Sequence, residues 1–207
     1  MGCHVIDDYP RRPIFDFYVR NPCPFYAVTF ELEATAVRRR ARDRERSVYA
    51  SLVWAFHRAM LQVDAFRVRY QGGALVLYDS LTIGMTVPAP KGTFSFATVA
   101  FDPDPDRYFV EAADAMERAS RRLDLSGGSA PDFAYYTALP SVPFTAMTHV
   151  PLSDPMAGQP MTAFGRIHER DGRALVPVSL QVNHRFVDGA DIGVLYESAQ
   201  ESFAAAF

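Results

Sequence analysis

The chain has 207 residues, of which 49% are hydrophobic, 13% aromatic and 22% charged. This composition is typical of one soluble domain with a single core, and it excludes fibrous and intrinsically disordered proteins. The formal net charge of -3 excludes a general electrostatic attraction to nucleic acid or to an anionic membrane. Lys91 is the only lysine among 21 basic residues, so a catalytic lysine is not expected.

Disulfides, metal sites and targeting segments are not expected either. Cys3 and Cys23 are too few for a disulfide framework and lack the spacing of metal ligands. The amino-terminal residues contain no apolar signal segment, and no run approaches the roughly 18 apolar residues of a membrane span. These features predict a protein of the reducing cytoplasm that binds neither membranes nor metal ions.

The first predicted strand covers residues 25–33. Its alternate residues are apolar, as in a strand with one buried face: Tyr26, Val28, Phe30 and Leu32. Residues 34–62 are predicted to be helical, because apolar residues recur at helical spacing after a basic run at 38–46. Acidic residues interrupt that run and no aromatic residues accompany it. We therefore interpret it as a solvated helical face and not as a nucleic-acid site.

The remaining elements follow from the same patterns and from turn residues. Three short β-rich runs predict a meander, and they lie at 66–70, 74–78 and 80–87. Further strands are predicted at 93–101, 144–150, 160–166 and 174–183. Helices are predicted at 103–123 and from Gly189 to about Ala205, with a loop at Ser126–Ser129. No linker divides the chain, so we predict one α+β domain, residues 1–207, built as a two-layer sandwich of a mixed β-sheet with helices on one face.

A lone histidine ends the apolar face of the last predicted strand. That face consists of Val176, Val178, Leu180, Val182 and His184, while Ser179, Gln181 and Asn183 occupy the other. Asp188 can cap the following helix, with Gly189 at the turn. The residues alone leave two interpretations open: a half-buried structural histidine beside a helix cap, which they favour, or a general base kept neutral by apolar neighbours.

The motif HxxxDG, formed here by His184, Asp188 and Gly189, resembles that of chloramphenicol acetyltransferases and of the catalytic domains of dihydrolipoamide acyltransferases. Other segments are similar to the chloramphenicol acetyltransferases and keep their order along the chain. They are Arg11–Tyr18 (RRPIFDFY), Thr93–Ser95 (TFS), Pro140 with Phe144 and Thr145, and Gly165 with Arg166. The combined pattern resembles the chloramphenicol acetyltransferase family over nearly the whole length.

This resemblance implies a mechanism and a set of site residues. His184 is expected to remove the proton of an acceptor hydroxyl, which attacks the thioester carbonyl of an acyl-coenzyme A. Thr137, aligned with a family serine, is expected to donate a hydrogen bond to the oxyanion. Asp188 is expected to pair with Arg11 and hold the loop of His184. The residues expected to line the acceptor pocket are Phe17, Tyr18 and Tyr26, and those expected to contact coenzyme A phosphates are Arg46 and Arg166.

The resemblance also implies a homotrimer whose sites are shared between neighbouring subunits, acting on a small-molecule hydroxyl such as that of an antibiotic or a biosynthetic intermediate. Several positions depart from the family pattern. Asn183 replaces a histidine, Ser141 a tryptophan, Ser47 a lysine and Ala163 a threonine, with Thr162 expected on the other side of its strand. Two alternatives stay open: an acyltransferase that uses a carrier-protein or lipoyl thioester, and a non-catalytic protein that binds a small molecule.

Overall fold

The computed structural model of the protein describes residues 2–125 and 130–205, so the loop predicted at Ser126–Ser129 lies outside the described residues. The strands are β1 (Cys3–Val5), β2 (Phe25–Glu33), β3 (Val68–Gln71), β4 (Ala74–Tyr78), β5 (Thr82–Ala89), β6 (Thr93–Ala100), β7 (Phe133–Ala138), β8 (Met161–Phe164), β9 (His168–Arg170) and β10 (Arg173–Asn183). The α-helices are α1 (Arg12–Tyr18), α2 (Thr35–Asp43), α3 (Val48–Met60), α4 (Pro105–Ser120) and α5 (Gly189–Ala205).

The main sheet has the strand order β2-β10-β8-β7-β5-β6, and β9 pairs with the start of β10. β7 runs parallel to both β5 and β8, while the other neighbours are antiparallel. α4 lies in the connection from β6 to β7, and the long segment 139–160 joins the parallel neighbours β7 and β8. The predicted α+β fold with a mixed sheet and helices is therefore confirmed.

α3, α4 and α5 form the helical layer. The Phe56 ring of α3 packs edge-on against Phe164 of β8, with ring centroids 5.8 Å apart. Ser202 of α5 donates a hydrogen bond to the carbonyl of Ala55 in α3 at 2.8 Å. Tyr108 of α4 is fully buried in the same core. Burial of each such aromatic side chain contributes about 1.5–3 kcal/mol, which makes this face of the sheet the hydrophobic core.

β10 is buried on both faces, but its apolar and polar residues face different surroundings. The apolar set from Val176 to Val182 packs into the core beneath the helices, as the alternation predicts. On the other face, Ser179 and Asn183 accept or donate hydrogen bonds to the irregular segment between β7 and β8. The polar face of β10 is therefore covered by a loop and not by solvent.

The predicted strand at 144–150 is wrong, because this stretch belongs to the irregular segment at 139–160. Prolines recur through it, at positions 140, 143, 151, 155 and 160, and proline has no N–H to donate to a strand ladder. The predicted meander is also wrong in part. β3 and β4 form a hairpin that pairs with β1 in a separate three-stranded sheet, whereas β5 joins the main sheet.

The predicted helix at 34–62 is two helices. Ser47 ends the break between them as the cap of α3, its side chain accepting a hydrogen bond from Ala50 N at 3.2 Å. Glu45, within the break, has a φ of 53°, which no helix accommodates. Four short elements were not predicted: β1, α1, β7 and β9. Within residues 2–125 and 130–205, no helix is long and apolar enough to cross a membrane.

Candidate active site

His184 lies in the turn between β10 and α5, between two tyrosine rings. Its backbone N–H donates to Pro24 O at 2.9 Å. The imidazole stacks on Tyr18, with centroids 4.6 Å apart and planes 19° apart, and contacts Tyr26 at 4.7 Å. Nδ1 is buried without a hydrogen-bond partner among the described residues, which leaves Nε2 as the nitrogen available to a substrate. This places one imidazole nitrogen of a fixed ring where it can receive a proton.

An ion-pair cluster braces the start of α5 beside this turn. Arg11 Nη2 lies 3.0 Å from Asp188 Oδ2, and Arg11 also pairs with Asp191. Asp188 caps α5 by accepting from Ala190 N at 2.9 Å, and Asp191 accepts from Asp188 N at 2.8 Å. The structure thus places Arg11 and Asp188 together, as the family resemblance implies. It adds Asp191, which the sequence analysis missed although an acid in a first helical turn is a common dipole partner.

The three predicted pocket aromatics differ in their surroundings. Tyr26 donates a hydrogen bond to Val187 O at 3.3 Å, and burial, with the nearby Asp188 carboxylate, raises the pKa of Tyr26 to about 12. Its hydroxyl therefore stays protonated at neutral pH. Tyr18 supports the imidazole from the other side. Phe17 is 75% exposed and touches Tyr18 edge-on, so within one chain it lines no closed pocket.

Thr137 lies elsewhere, in a cavity of about 680 Å³ on the sheet face opposite the helices. The wall is mostly apolar, with Phe94, Phe96, Leu125, Tyr135, Leu152 and Met161 among its side chains. The lining within the described residues includes no Asp, Glu, Lys or Arg. Thr86 Oγ1 donates to Thr137 Oγ1 at 2.7 Å, which leaves the hydrogen of the Thr137 hydroxyl free to donate to another group.

One chain does not bring His184 and Thr137 together. The strand register places Thr137, Ala163 and Ser179 side by side on β7, β8 and β10. His184 follows Ser179 by five residues. Two strand spacings and five residues of rise separate the two backbones by roughly 19 Å. A single carbonyl cannot contact both side chains at that distance.

His149 joins the wall of this cavity, and the sequence analysis assigned it no role. Ser179 Oγ donates its hydrogen to Met147 O at 3.1 Å. The same Ser179 Oγ therefore accepts from His149 Nε2, also at 3.1 Å. His149 Nδ1 is then the unprotonated nitrogen. Burial lowers the pKa of His149, which favours this neutral form. No spacing signal in the sequence links residues 149 and 179, because the contact crosses from a loop to a distant strand.

The predicted phosphate-binding arginines lie in separate places. Arg166 is exposed, two residues beyond the end of β8. Arg46 lies between α2 and α3, where it pairs with Asp106 and stacks over the Phe109 ring at 4.3 Å. Arg46 does not line the cavity of Thr137.

The positions that depart from the family pattern have structural partners here. Asn183 Nδ2 donates to Pro155 O and Ala157 O at 2.9 and 2.8 Å. Ser47 is the cap of α3. Ala163 is fully buried beside Thr137, while Thr162 pairs with Leu180 and Tyr136 on the helical face, as the sequence predicts. Ser141 is exposed.

The chain is similar to known acetyltransferases over most of its length. The family model "Chloramphenicol acetyltransferase" matches residues 3–200. A chloramphenicol acetyltransferase of Streptomyces acrimycini is 32% identical, over 89% of this chain and 86% of that protein. A solved chloramphenicol acetyltransferase superposes with a TM-score of 0.91 at 22% identity, covering 98% of this chain and all of the other. The dihydrolipoamide acetyltransferase of Azotobacter vinelandii reaches 0.67 at 18% identity, over 96% of this chain and 91% of that one, which is a likeness of fold. The chain belongs to the chloramphenicol acetyltransferase family, and the predicted acyltransferase class is confirmed.

Proposed function

We propose that residues 1–207 form a single acyltransferase domain that moves an acetyl group from acetyl-coenzyme A to a hydroxyl of a small molecule. The observation that carries this proposal is the geometry of His184. Its ring is held between Tyr18 and Tyr26 with Nε2 available to a substrate, beside the Arg11–Asp188 ion pair. Relatives over most of the chain are named chloramphenicol acetyltransferases, which supports an antibiotic or a related biosynthetic intermediate as the acceptor.

In this mechanism His184 Nε2 removes the proton of the acceptor hydroxyl while that oxygen attacks the thioester carbonyl. The Thr137 hydroxyl donates to the resulting oxyanion. When the tetrahedral intermediate collapses, the carbon–sulfur bond breaks and the imidazolium returns the proton to the leaving thiolate. No acyl-enzyme and no metal ion take part. Arg11 and Asp188 contribute by holding the turn in place.

The separation of His184 from Thr137 supports a site that two subunits share, and we assign the assembly as a homotrimer. Apolar side chains are exposed at both half-sites. Phe17 and Val19 lie beside the His184 turn, and Phe94, Leu125 and Val150 lie at the cavity of Thr137. Exposed apolar residues that gather at functional surfaces are typical of protein interfaces. In the assembly, His184 of one subunit faces the cavity of the next.

The chemistry of the cavity favours an uncharged, largely apolar acceptor, because charged side chains are missing from its described lining. Exposed Arg166 can bind a phosphate of the acyl donor, coenzyme A. Arg46 can do so if it releases its ion pair with Asp106. The exposed free thiols of Cys3 and Cys23 fit a reducing compartment, and we assign the protein to the cytoplasm.

The experiment that tests the function is a thiol-release assay with acetyl-coenzyme A and a panel of hydroxyl acceptors, chloramphenicol first. Acceptor-dependent release of coenzyme A supports the proposal. If the protein consumes acyl-carrier-protein or acetyl-lipoyl thioesters but not acetyl-coenzyme A, the acyl donor is a carrier thioester and not coenzyme A. An acceptor that raises the melting temperature without any thiol release would identify a binding protein instead.

Mixed oligomers test the shared site. We expect H184A and T137V to be weakly active alone, because each lacks one half of every site. Oligomers formed from both variants contain some interfaces where an intact His184 faces an intact Thr137, so mixing them should recover a measurable part of wild-type activity. Co-expression with two affinity tags, followed by tandem purification and the thiol-release assay, measures this recovery. If the mixed oligomers are no more active than the two separate variants, the whole site lies within one chain.

A further inference from the structure

Arg185, the residue after His184, is buried and bound to main-chain carbonyls of two other segments, residues 18–21 and Pro155. It is 1% exposed. Its Nε donates to Tyr18 O at 3.0 Å, and its Nη2 donates to Val19 O at 2.9 Å and to Asn21 O at 3.0 Å. Its Nη1 donates to Pro155 O. All four of these side-chain hydrogen bonds end on carbonyl oxygens, so the guanidinium joins the His184 turn to two other pieces of chain.

The first of these pieces is the carboxyl end of α1. A helix of seven residues is too short to be stable alone, and its last carbonyls have no partners inside the helix. Arg185 donates to Val19 O and adds a second donor at Tyr18 O, which also accepts from Asn21 N at 3.0 Å. Since the Tyr18 ring stacks on His184, the hydrogen bond to Tyr18 O fixes the backbone from which that ring extends. Arg185 therefore reaches the imidazole indirectly, through Tyr18.

The second piece is the loop at 155–157. Asn183, on the other side of His184, donates to Pro155 O and Ala157 O, and its Oδ1 accepts from Arg185 N at 3.0 Å. Pro155 O thus receives hydrogen bonds from both neighbours of the histidine. The two flanking residues hold one loop and keep the turn between them from rotating.

We propose that Arg185 is a positioning residue for acyl transfer, which ties the end of α1 and the 155–157 loop to the turn of His184 and so holds Tyr18 against the imidazole. This inference rests on the proposed role of His184. Lysine keeps the charge but has one nitrogen, which cannot reach carbonyls on separate segments in the way that the planar guanidinium does. R185K therefore removes the hydrogen bonds to the separate segments while keeping the positive charge.

The chain offers a matched control in Arg69. It is 2% exposed and also donates four hydrogen bonds to main-chain carbonyls, those of Phe66, Val68, Pro131 and Phe133. These partners lie outside the stack of Tyr18, His184 and Tyr26. R69K and R185K should both lower the melting temperature. Only R185K should lower kcat, by about tenfold to a hundredfold, since a misplaced catalytic group costs that much.

A second set of variants tests the route through Tyr18. Y18A should lower kcat more than Y18F does, because phenylalanine keeps the ring that stacks on His184. In the Y18A background R185K should lower kcat further by less than about twofold, the non-additivity expected of residues that act through one contact. The proposal is overturned if R185K retains kcat as R69K does, if Y18A retains it, or if the two effects multiply. Y18A remains decisive if R185K does not fold, and wild-type activity in the same assay tests the function separately.

Discussion

H184Q is expected to lose about 10³–10⁴-fold in kcat, the upper part of the range that general acid–base catalysis contributes. Glutamine keeps much of the volume and polarity of the imidazole between Tyr18 and Tyr26, but it cannot accept the hydroxyl proton near neutral pH. Because glutamine can occupy the same place between these two tyrosines, the oligomer should stay assembled. Steady-state kinetics with acetyl-coenzyme A and size-exclusion chromatography check the two expectations.

His168 gives the matched control. It lies on β9, where Nε2 is 3.0 Å from Glu31 Oε1, far along the strand from the His184 turn. H168Q removes a half-buried histidine and should leave kcat and KM within about twofold of wild type, because its side chain contacts Glu31 and not the His184 turn. If H184Q retained most of the activity, His184 would not be the base.

T137V is expected to lower kcat by about 10²–10³-fold, corresponding to roughly 2.7–4 kcal/mol of lost oxyanion stabilisation. Valine keeps the shape of threonine and removes the hydroxyl whose hydrogen is left free by the bond from Thr86. KM for the acceptor should change little, because the oxyanion forms only after the hydroxyl attacks. Saturation kinetics in both substrates separate these two parameters.

Two further threonine variants complete this test. T137S keeps the hydroxyl and should recover most of the activity. Thr162 borders the same cavity, but strand alternation turns its side chain away from that of Thr137, and T162V removes a buried hydroxyl whose Oγ1 has no hydrogen-bond partner among the described residues. It should leave kcat unchanged and keep or raise the melting temperature, since an unsatisfied buried hydroxyl is a cost. Equal activity losses in T137V and T162V would point to general damage and not to an oxyanion donor.

The elements predicted best are those whose pattern is local. β2 and β10 alternate in the sequence because one face of each enters the core, and both were predicted to within about two residues. α5 begins directly after Asp188, the residue whose capping role its sequence position indicates. For these elements the burial pattern and the end signals lie within the segment itself.

The elements predicted wrongly depend on distant partners. Whether β5 continues a meander with β4 or joins β6 and β7 is decided by which strand completes which sheet, and adjacent sequence does not record this. Residues 144–150 are apolar because they cover a sheet face and border a cavity, not because they form a strand. α1 is short and has no periodic signal, so only its packing through Phe15 and its cap by Arg185 reveal it.

By itself, the sequence determined which chemical groups are available: an imidazole at a strand end, the aspartate and arginine that hold its turn, and a threonine hydroxyl. Motifs identify such groups because chemistry restricts the residue type at each position. Only the tertiary structure decided their distances. The register of β7, β8 and β10 separates His184 from Thr137, and the folded chain alone brings Arg185 against carbonyls of two distant segments. Those distances follow from strand pairing across the whole chain, which no local pattern encodes.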